Sequence, residues 1–242
     1  EGLAIINADQ PWLAQWIQQA GDARTITFGL SEKADYRAIN IQYQGLNGTR
    51  FDLIASSMVL PVSLRLPGAI QVINALAALA VAIELGVPPD SAVDGLGQVV
   101  PEVGRGAVLV GRTGGRVVDD SYNANPAAVM AAIDTLARES AYSVLILGPM
   151  LELGPTSDAL HGDVGRYAKA AGIDLLVAVG REAAAAAEAY GEGAHYFSNQ
   201  QALWAAFPEL PDEHLIWVKG SRGAMLEKTV HWLTRAEEGF SC

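Results

Sequence analysis

Strand-like and helix-like patterns mix in the first part of the chain, from residue 1 to about 112. Ile39, Ile41 and Tyr43 occupy every second position, and in an extended strand such residues share one face. Gly45-Leu46-Asn47-Gly48, between two alternating stretches, predicts a hairpin-like connection. The whole pattern predicts strands at 3–7, 25–28, 36–43, 50–55 and 59–66, and helices at 11–20, 71–86 and 89–98.

From residue 116 onward, apolar strand cores alternate more regularly with helical stretches. Such runs predict a mostly parallel sheet that is covered on both faces. We predict strands at 116–119, 143–147, 174–179 and 214–218, and helices at 127–138, 158–171, 181–190, 199–207 and about 222–235. The expected fold class is therefore α/β, with domains at 1–112 and 113–242. The segment Gly111-Arg112-Thr113-Gly114-Gly115 fits the domain junction, or a hairpin turn beside it.

Composition narrows the function classes only slightly. The net charge of −11 argues against nonspecific nucleic-acid binding, although it permits a local site for an anionic nucleotide. The longest apolar run, Val72 to Val87, contains Asn74 and Glu84, so we expect a buried helix and no membrane span. The single cysteine, Cys242, excludes an internal disulfide framework, and no secretory signal pattern is visible. We therefore expect a cytoplasmic location.

The most informative segment runs from Val117 to Pro126, where two carboxylates and two amides follow a β-branched strand. A polar turn between a strand and a helix N-terminus is where open α/β sheets bind ligands. Asp120 can accept hydrogen bonds from a ribose or coordinate a cation, whereas Asn123 and Asn125 can donate and accept. The same residues could instead simply cap the helix that follows.

A second polar segment, Lys219-Gly220-Ser221-Arg222, follows the last predicted strand. Its two cations at a helix N-terminus would suit an anion, although Ser221 could be an ordinary cap. His161 on a predicted helix could carry protons or be structural. The other histidines lack metal-ligand spacing, so we expect no metal ligands here.

These segments resemble the Mur ligase family. The run Asp120-Ser-Tyr-Asn-Ala-Asn-Pro126 carries most of the resemblance, and its form is typical of the branch that adds D-alanyl-D-alanine to UDP-N-acetylmuramoyl-tripeptide. The resemblance extends over nearly the whole chain, excepting the tail after about 236. Further matching segments, in the family's order, are 2–9, 68–75, 148–154 and 218–222.

The resemblance implies a partial central ATPase-type domain followed by a complete, doubly wound, Rossmann-like C-terminal domain. The implied protein is a monomeric ligase that uses ATP and Mg²⁺ and forms an acyl phosphate. No Gly-x-x-x-x-Gly-Lys-[Ser/Thr] loop occurs in the sequence. We therefore interpret the chain as a fragment that begins in mid-domain and is inactive alone. We expect ATP and Mg²⁺ to be bound mainly by residues upstream of it.

The resemblance also implies roles for individual residues. The usual His is replaced by Ile70 and an Asp by Pro149, which weakens any polar role at those two positions. No catalytic residue is assigned within this chain. The implied nucleotide-binding residues are Gln71, Asn74, Arg105 and Asp120, and the implied substrate-binding residues are Tyr122, Asn123, Asn125, Lys219, Ser221 and Arg222.

Two alternatives remain. The chain could belong to a sibling Mur ligase or a folylpolyglutamate-type ligase, which would share the fold and the ATP chemistry. It could instead be a noncatalytic nucleotide-sensing module, which the missing phosphate loop would favour if the chain were complete.

Overall fold

Two separate β-sheets organise the chain, one on each side of a division between Val100 and Pro101. The computed structural model describes residues 2–234. Cys242 and the predicted last residue of the C-terminal helix, at 235, lie outside the described residues. None of the described helices has the length and apolar character needed to cross a bilayer.

The first unit contains a five-stranded sheet in the order β1-β2-β3-β4-β5. Its first three strands are parallel, and β4 and β5 add antiparallel pairs at one edge. The strands are β1 (Leu3–Asn7), β2 (Arg24–Gly29), β3 (Tyr36–Tyr43), β4 (Thr49–Ala55) and β5 (Met58–Leu64). The helices are α1 (Leu13–Ala20), α2 (Ala69–Glu84) and α3 (Pro89–Gly97).

One face of this sheet packs on α2. Phe51 and Leu53 alternate with more exposed residues along β4, and they join Leu76 and Leu79 of α2 in one buried cluster. The predicted connection between β3 and β4 is confirmed as a tight turn. The turn ends at Gly48, which has a φ of 112°. A Cβ atom at this position would lie 1.9 Å from the Leu64 carbonyl oxygen, so the position requires glycine.

The second unit contains a six-stranded sheet in the order β10-β9-β8-β11-β7-β6. All pairs are parallel except β6 with β7. The strands are β6 (Ala107–Val110), β7 (Arg116–Asp120), β8 (Tyr142–Leu147), β9 (Leu175–Val179), β10 (Ala194–Phe197) and β11 (His214–Lys219). The helices are α4 (Pro126–Leu136), α5 (Ser157–Ala170), α6 (Ala184–Tyr190), α7 (Gln200–Ala205) and α8 (Glu227–Thr234).

Both faces of this second sheet are buried. Val144 and Ile146 of β8 form one cluster with Val230 and Leu233 of α8. The residue between them, Leu145, points to the opposite face and is equally inaccessible. This two-sided burial explains the uninterrupted apolar runs of the central strands, and it confirms the predicted doubly wound α/β architecture.

The structure selects one predicted form of the segment 111–115, and other details differ from the sequence-based prediction. The segment 111–115 is a hairpin turn, closed by a 3.2 Å hydrogen bond from Gly111 N to the Gly115 carbonyl, so 107–110 pairs within the second sheet. The compact units divide between Val100 and Pro101, and the domain boundary at 112 stays a prediction. The strands β6 and β10, which have only four residues each, were not predicted. The last helix begins at Glu227, because Met225 adopts a left-handed conformation.

Candidate functional site

The carboxyl ends of three neighbouring strands of the second unit lie side by side. Lys219, the last residue of β11, is in register with Asp120 at the end of β7 and with Leu147 at the end of β8. The loops that follow these strands therefore leave the sheet at the same edge. This edge is where open α/β sheets bind ligands, and it collects most of the predicted substrate-binding residues.

A buried ion pair joins two of these strand ends. Lys219 Nζ lies 2.7 Å from Asp120 Oδ2 and donates a second hydrogen bond, of 2.9 Å, to the Asn123 carbonyl oxygen. The lysine is only 4% exposed, so its charge requires these partners. Lys219 thus anchors the loop after β7 from beneath. Two of its three N–H bonds are used within the protein.

The Asp120 carboxylate keeps one oxygen for an incoming group. Lys219 and the Trp217 indole, at 3.2 Å, both donate to Oδ2. In the described part of the second unit, Oδ1 accepts no hydrogen bond. Burial raises the pKa of Asp120 above its ordinary value, while the Lys219 ammonium opposes this shift. Because both of these donors bind Oδ2, Oδ1 can accept a hydrogen bond from a hydroxyl, such as that of a ribose.

Asp119 has a different role, which the sequence analysis missed. Its carboxylate is 3% exposed and accepts hydrogen bonds from Ser121 Oγ at 2.6 Å and from Gly104 N at 3.0 Å. Its carbonyl oxygen accepts from Gly106 N at 2.7 Å. Asp119 therefore fixes the turn that carries Arg105. The available signal was strand periodicity, since two consecutive carboxylates on a strand must face opposite sides.

Ser221 ties the loops of this edge together. Its Oγ donates to the Ala124 carbonyl at 3.3 Å and accepts from Leu151 N at 2.9 Å, while its own N–H donates to the Pro149 carbonyl at 2.8 Å. Its side chain makes no helix-capping hydrogen bond. The hydroxyl therefore makes hydrogen bonds within the protein, and the substrate-binding role that the resemblance implies for Ser221 stays a prediction.

The two amides of the loop after β7 differ in environment. Asn125 caps α4, because its Oδ1 accepts a 2.9 Å hydrogen bond from Ala128 N, and Pro126 opens that helix. The helix-cap interpretation thus holds for Asn125. Asn123 is exposed, and its Oδ1 accepts from Ala124 N.

Two arginines lie near the ring of Tyr122. The Arg105 Cζ is 4.1 Å from the centroid of the Tyr122 ring, and the Arg222 Cζ is 5.7 Å from it. All three side chains are exposed at the sheet edge. The structure thus brings together Arg105 and Arg222, for which the resemblance implied separate ligands.

The remaining candidates lie elsewhere. Gln71 and Asn74 belong to the first unit, near the start of α2, where Asn74 Nδ2 donates to Gln71 Oε1 at 3.2 Å. The neighbouring Ile70 is half exposed.

His161 is fully buried, and its Nε2 accepts a 2.9 Å hydrogen bond from Met150 N, which supports a structural role for this histidine. Within 2–234, no three His, Cys, Asp or Glu side chains are grouped so as to hold a metal ion.

Comparison with known proteins places these features in context. The sequence profile of the Mur ligase middle domain matches residues 1–82, and that of the Mur ligase glutamate ligase domain matches residues 104–222. The UDP-N-acetylmuramoyl-tripeptide–D-alanyl-D-alanine ligase of Escherichia coli K12 is 37% identical over 245 residues, which cover 100% of this chain and 53% of that protein. The Mycobacterium tuberculosis H37Rv enzyme of the same name is 33% identical over 187 residues, covering 74% of this chain and 36% of that protein. The chain thus spans about half the length of the E. coli relative.

Solved structures show the same fold. MurF from Acinetobacter baumannii superposes with a TM-score of 0.86 at 29% identity, over 96% of this chain and 51% of that one. Folylpolyglutamate synthase from M. tuberculosis, complexed with ADP, gives 0.71 at 21% identity, over 94% and 54%, and shares the fold alone. With its two units matching the middle and C-terminal domains in order, the chain belongs to the Mur ligase family.

Proposed function

We propose that this chain is part of an ATP-dependent ligase that joins D-alanyl-D-alanine to UDP-N-acetylmuramoyl-tripeptide in peptidoglycan precursor synthesis. The proposal rests mainly on one observation at the edge of the second sheet. There, Asp120 Oδ1 is available to accept a hydrogen bond, and the same unit carries Arg105 and Arg222. The names of the E. coli and M. tuberculosis relatives support the choice of substrates. Because ATP and the UDP-linked tripeptide are both nucleotides, we propose that the reaction is cytoplasmic. We also propose that the ligase is a monomer.

The proposed reaction has two steps. First, a carboxylate oxygen of the tripeptide attacks the γ-phosphorus of ATP, which gives an acyl phosphate and releases ADP. Next, the amine of D-alanyl-D-alanine attacks the acyl carbon, loses a proton and expels inorganic phosphate. Both steps require positioned reactants and stabilised oxyanions, and preorganised cations and hydrogen-bond donors supply that stabilisation.

Each unit carries residues that we assign to nucleotide binding. In the second unit, we assign Asp120 Oδ1 to a ribose hydroxyl and the Arg105 guanidinium to the phosphates, which its planar fork suits. In the first unit, Gln71 and Asn74 would contact the adenine as amide donors and acceptors. Mg²⁺ would neutralise phosphate charge during the reaction, and no residue of this chain is assigned to it.

The acceptor dipeptide would be bound by the loops after β7 and β11. Tyr122, Asn123 and Arg222 are exposed there and would contact it directly. Lys219, Ser221 and Asn125 would act from beneath, because their polar groups already hold these loops in place. This division refines the assignment implied by the resemblance, in which all six residues were substrate-binding without separate direct and supporting roles.

The test is a phosphate-release assay on a polypeptide that joins this chain to an upstream segment containing a Gly-Lys-[Ser/Thr] loop. With ATP, Mg²⁺ and both substrates, release should require the upstream segment and should fall at least about a hundredfold in Asp120→Ala. An Arg166→Gln variant, altered on the surface of α5, serves as the control. A folded polypeptide that binds nucleotide but releases no phosphate with any amino substrate would instead indicate a nucleotide-sensing module.

A further inference from the structure

Two arginines from opposite ends of the second unit's sequence share one aromatic ring. Arg105 precedes β6 and Arg222 follows β11, yet their Cζ atoms lie 4.1 and 5.7 Å from the Tyr122 centroid. Both distances fall within the ~6 Å over which a guanidinium is attracted to a ring face. A single exposed side chain thus contacts both cations.

The backbone on each side of this arrangement is fixed. Tyr122 N donates to the Gly104 carbonyl at 3.0 Å, which joins the Arg105 turn to the tyrosine itself. Gly104 has a φ of 80°, and a Cβ atom there would lie 3.2 Å from Tyr122 Cβ, so this close approach favours glycine. On the other side, Ser221, which directly precedes Arg222, is held by its hydrogen bonds to Ala124 and Leu151. The two guanidiniums therefore start from anchored positions, and the ring restricts the rest of each side chain.

The charges of this cluster are not balanced locally. In the described part of the second unit, neither Arg105 nor Arg222 forms an ion pair with a carboxylate, whereas Arg116 pairs with Glu139 and Lys219 with Asp120. Two like charges beside one ring repel each other, and the ring compensates them only in part. An oxyanion between the guanidiniums would satisfy both, since each can donate paired hydrogen bonds to it.

We propose that Tyr122 is a positioning residue that preorganises Arg105 and Arg222 as one two-guanidinium site for a single oxyanionic group. This inference replaces the separate ligands assigned to the two arginines above with one shared oxyanion. It rests on the proposed function only for the source of that oxyanion, which is either a nucleotide phosphate, where Arg222 joins Arg105, or the carboxylate of the dipeptide, where Arg105 joins Arg222. The ring does the positioning, and the phenolic hydroxyl is not required for it.

The test measures binding to the 242-residue chain by calorimetry, with pyrophosphate and D-alanyl-D-alanine as separate probes. For whichever probe occupies the site, Tyr122→Leu, Arg105→Gln and Arg222→Gln should each weaken binding about tenfold. Tyr122→Phe should restore the affinity to within about twofold of the unmodified chain, because the ring face remains. Arg166→Gln, which removes an exposed cation from α5, is the matched control for net charge.

A second measurement detects positioning without any ligand. In the unmodified chain, the ring current of Tyr122 should displace the Nε–Hε resonances of both arginines. Tyr122→Leu should return them to ordinary positions, whereas Tyr122→Phe should not. In the full ligase, Tyr122→Leu should raise the KM of the substrate that carries the oxyanion more than it lowers kcat.

Several results would overturn the inference. These are unchanged affinity in Tyr122→Leu, equal losses in Tyr122→Phe and Tyr122→Leu, or no binding of either probe. If Arg105→Gln weakened the binding of pyrophosphate only and Arg222→Gln weakened the binding of the dipeptide only, the two arginines would belong to separate sites. This comparison of the two arginine variants remains decisive even if Tyr122→Leu fails to fold. If the binding measurements gave the expected pattern but the full polypeptide ligated no substrate, the proposed function would be wrong and the two-arginine site would still be supported.

Discussion

Lys219 Nζ lies 2.7 Å from Asp120 Oδ2 and reaches this carboxylate from the adjacent strand of the sheet. The pair links the end of β11 to the loop after β7, because the same ammonium also donates to the Asn123 carbonyl. Two segments nearly a hundred residues apart in sequence therefore depend on one buried charge. The geometry of the candidate site depends on this pair.

Removal of the Lys219 charge should destabilise the second unit. Lys219→Met would leave Asp120 largely buried without its cation, and we expect the free energy of unfolding to fall by about 3 kcal/mol. Chemical denaturation measures this loss. The double variant Lys219→Met/Asp120→Asn should recover part of it, since no uncompensated charge remains. Equal stabilities of the single variant and the unmodified chain would contradict this role for the pair.

Asp119 and Asp120 should have separable roles. In Asp119→Ala, the Gly104 amide loses its acceptor, so we expect a loss of about 2 kcal/mol in stability and faster hydrogen exchange at Gly104. Asp120→Asn, the matched variant one residue away, should leave exchange at Gly104 unchanged and should weaken nucleotide binding. If the two variants had the same exchange pattern, the assignment of Asp119 to the Arg105 turn would be wrong.

Ionisation of Tyr36 should destabilise the first unit at high pH. Burial, together with the hydrogen bond from its hydroxyl to Glu84, raises the pKa of Tyr36 from 10.0 to about 12. The raised pKa means that the folded state favours the neutral phenol. This stabilisation is complete below the unfolded pKa of 10.0 and is lost as the pH rises through about 12.

The measurement is stability against alkaline pH, with tyrosinate absorbance followed in parallel. Tyr36→Phe should remove the part of the alkaline loss that belongs to the first unit. The pKa values of Tyr167 and Tyr190, in the second unit, are also raised, so the comparison with Tyr36→Phe is needed for assignment. An unchanged alkaline profile in Tyr36→Phe would show that Tyr36 does not cause the loss.

Hydrogen exchange should be faster in the first unit than in the second. None of the residues of α1 is buried, and Trp12, which precedes that helix, is 54% exposed. In contrast, the central strands β9 and β11 are buried along their whole length. Segments with few buried apolar contacts open more readily. Stronger protection in 2–100 than in 101–234 would contradict this expectation.

The sequence predicted the regular elements better than the contacts between them. The period-two and apolar-run patterns identified β7 and β11, whereas β6 and β10 were too short and too exposed to stand out. The residues of the candidate edge could also be identified from their strand ends. The pairing of Lys219 with Asp120 could not, because β11 enters the sheet between β8 and β7, and this strand order is not encoded in any local pattern.

The amino substrate tests the central claim most directly. Phosphate release by the ligase polypeptide should be compared for D-alanyl-D-alanine, glutamate, L-alanine and diaminopimelate, with the products identified by mass spectrometry. We predict release and a ligated product with D-alanyl-D-alanine alone. Equal or greater ligation of a single amino acid would instead assign the chain to a sibling ligase and contradict the proposed dipeptide specificity.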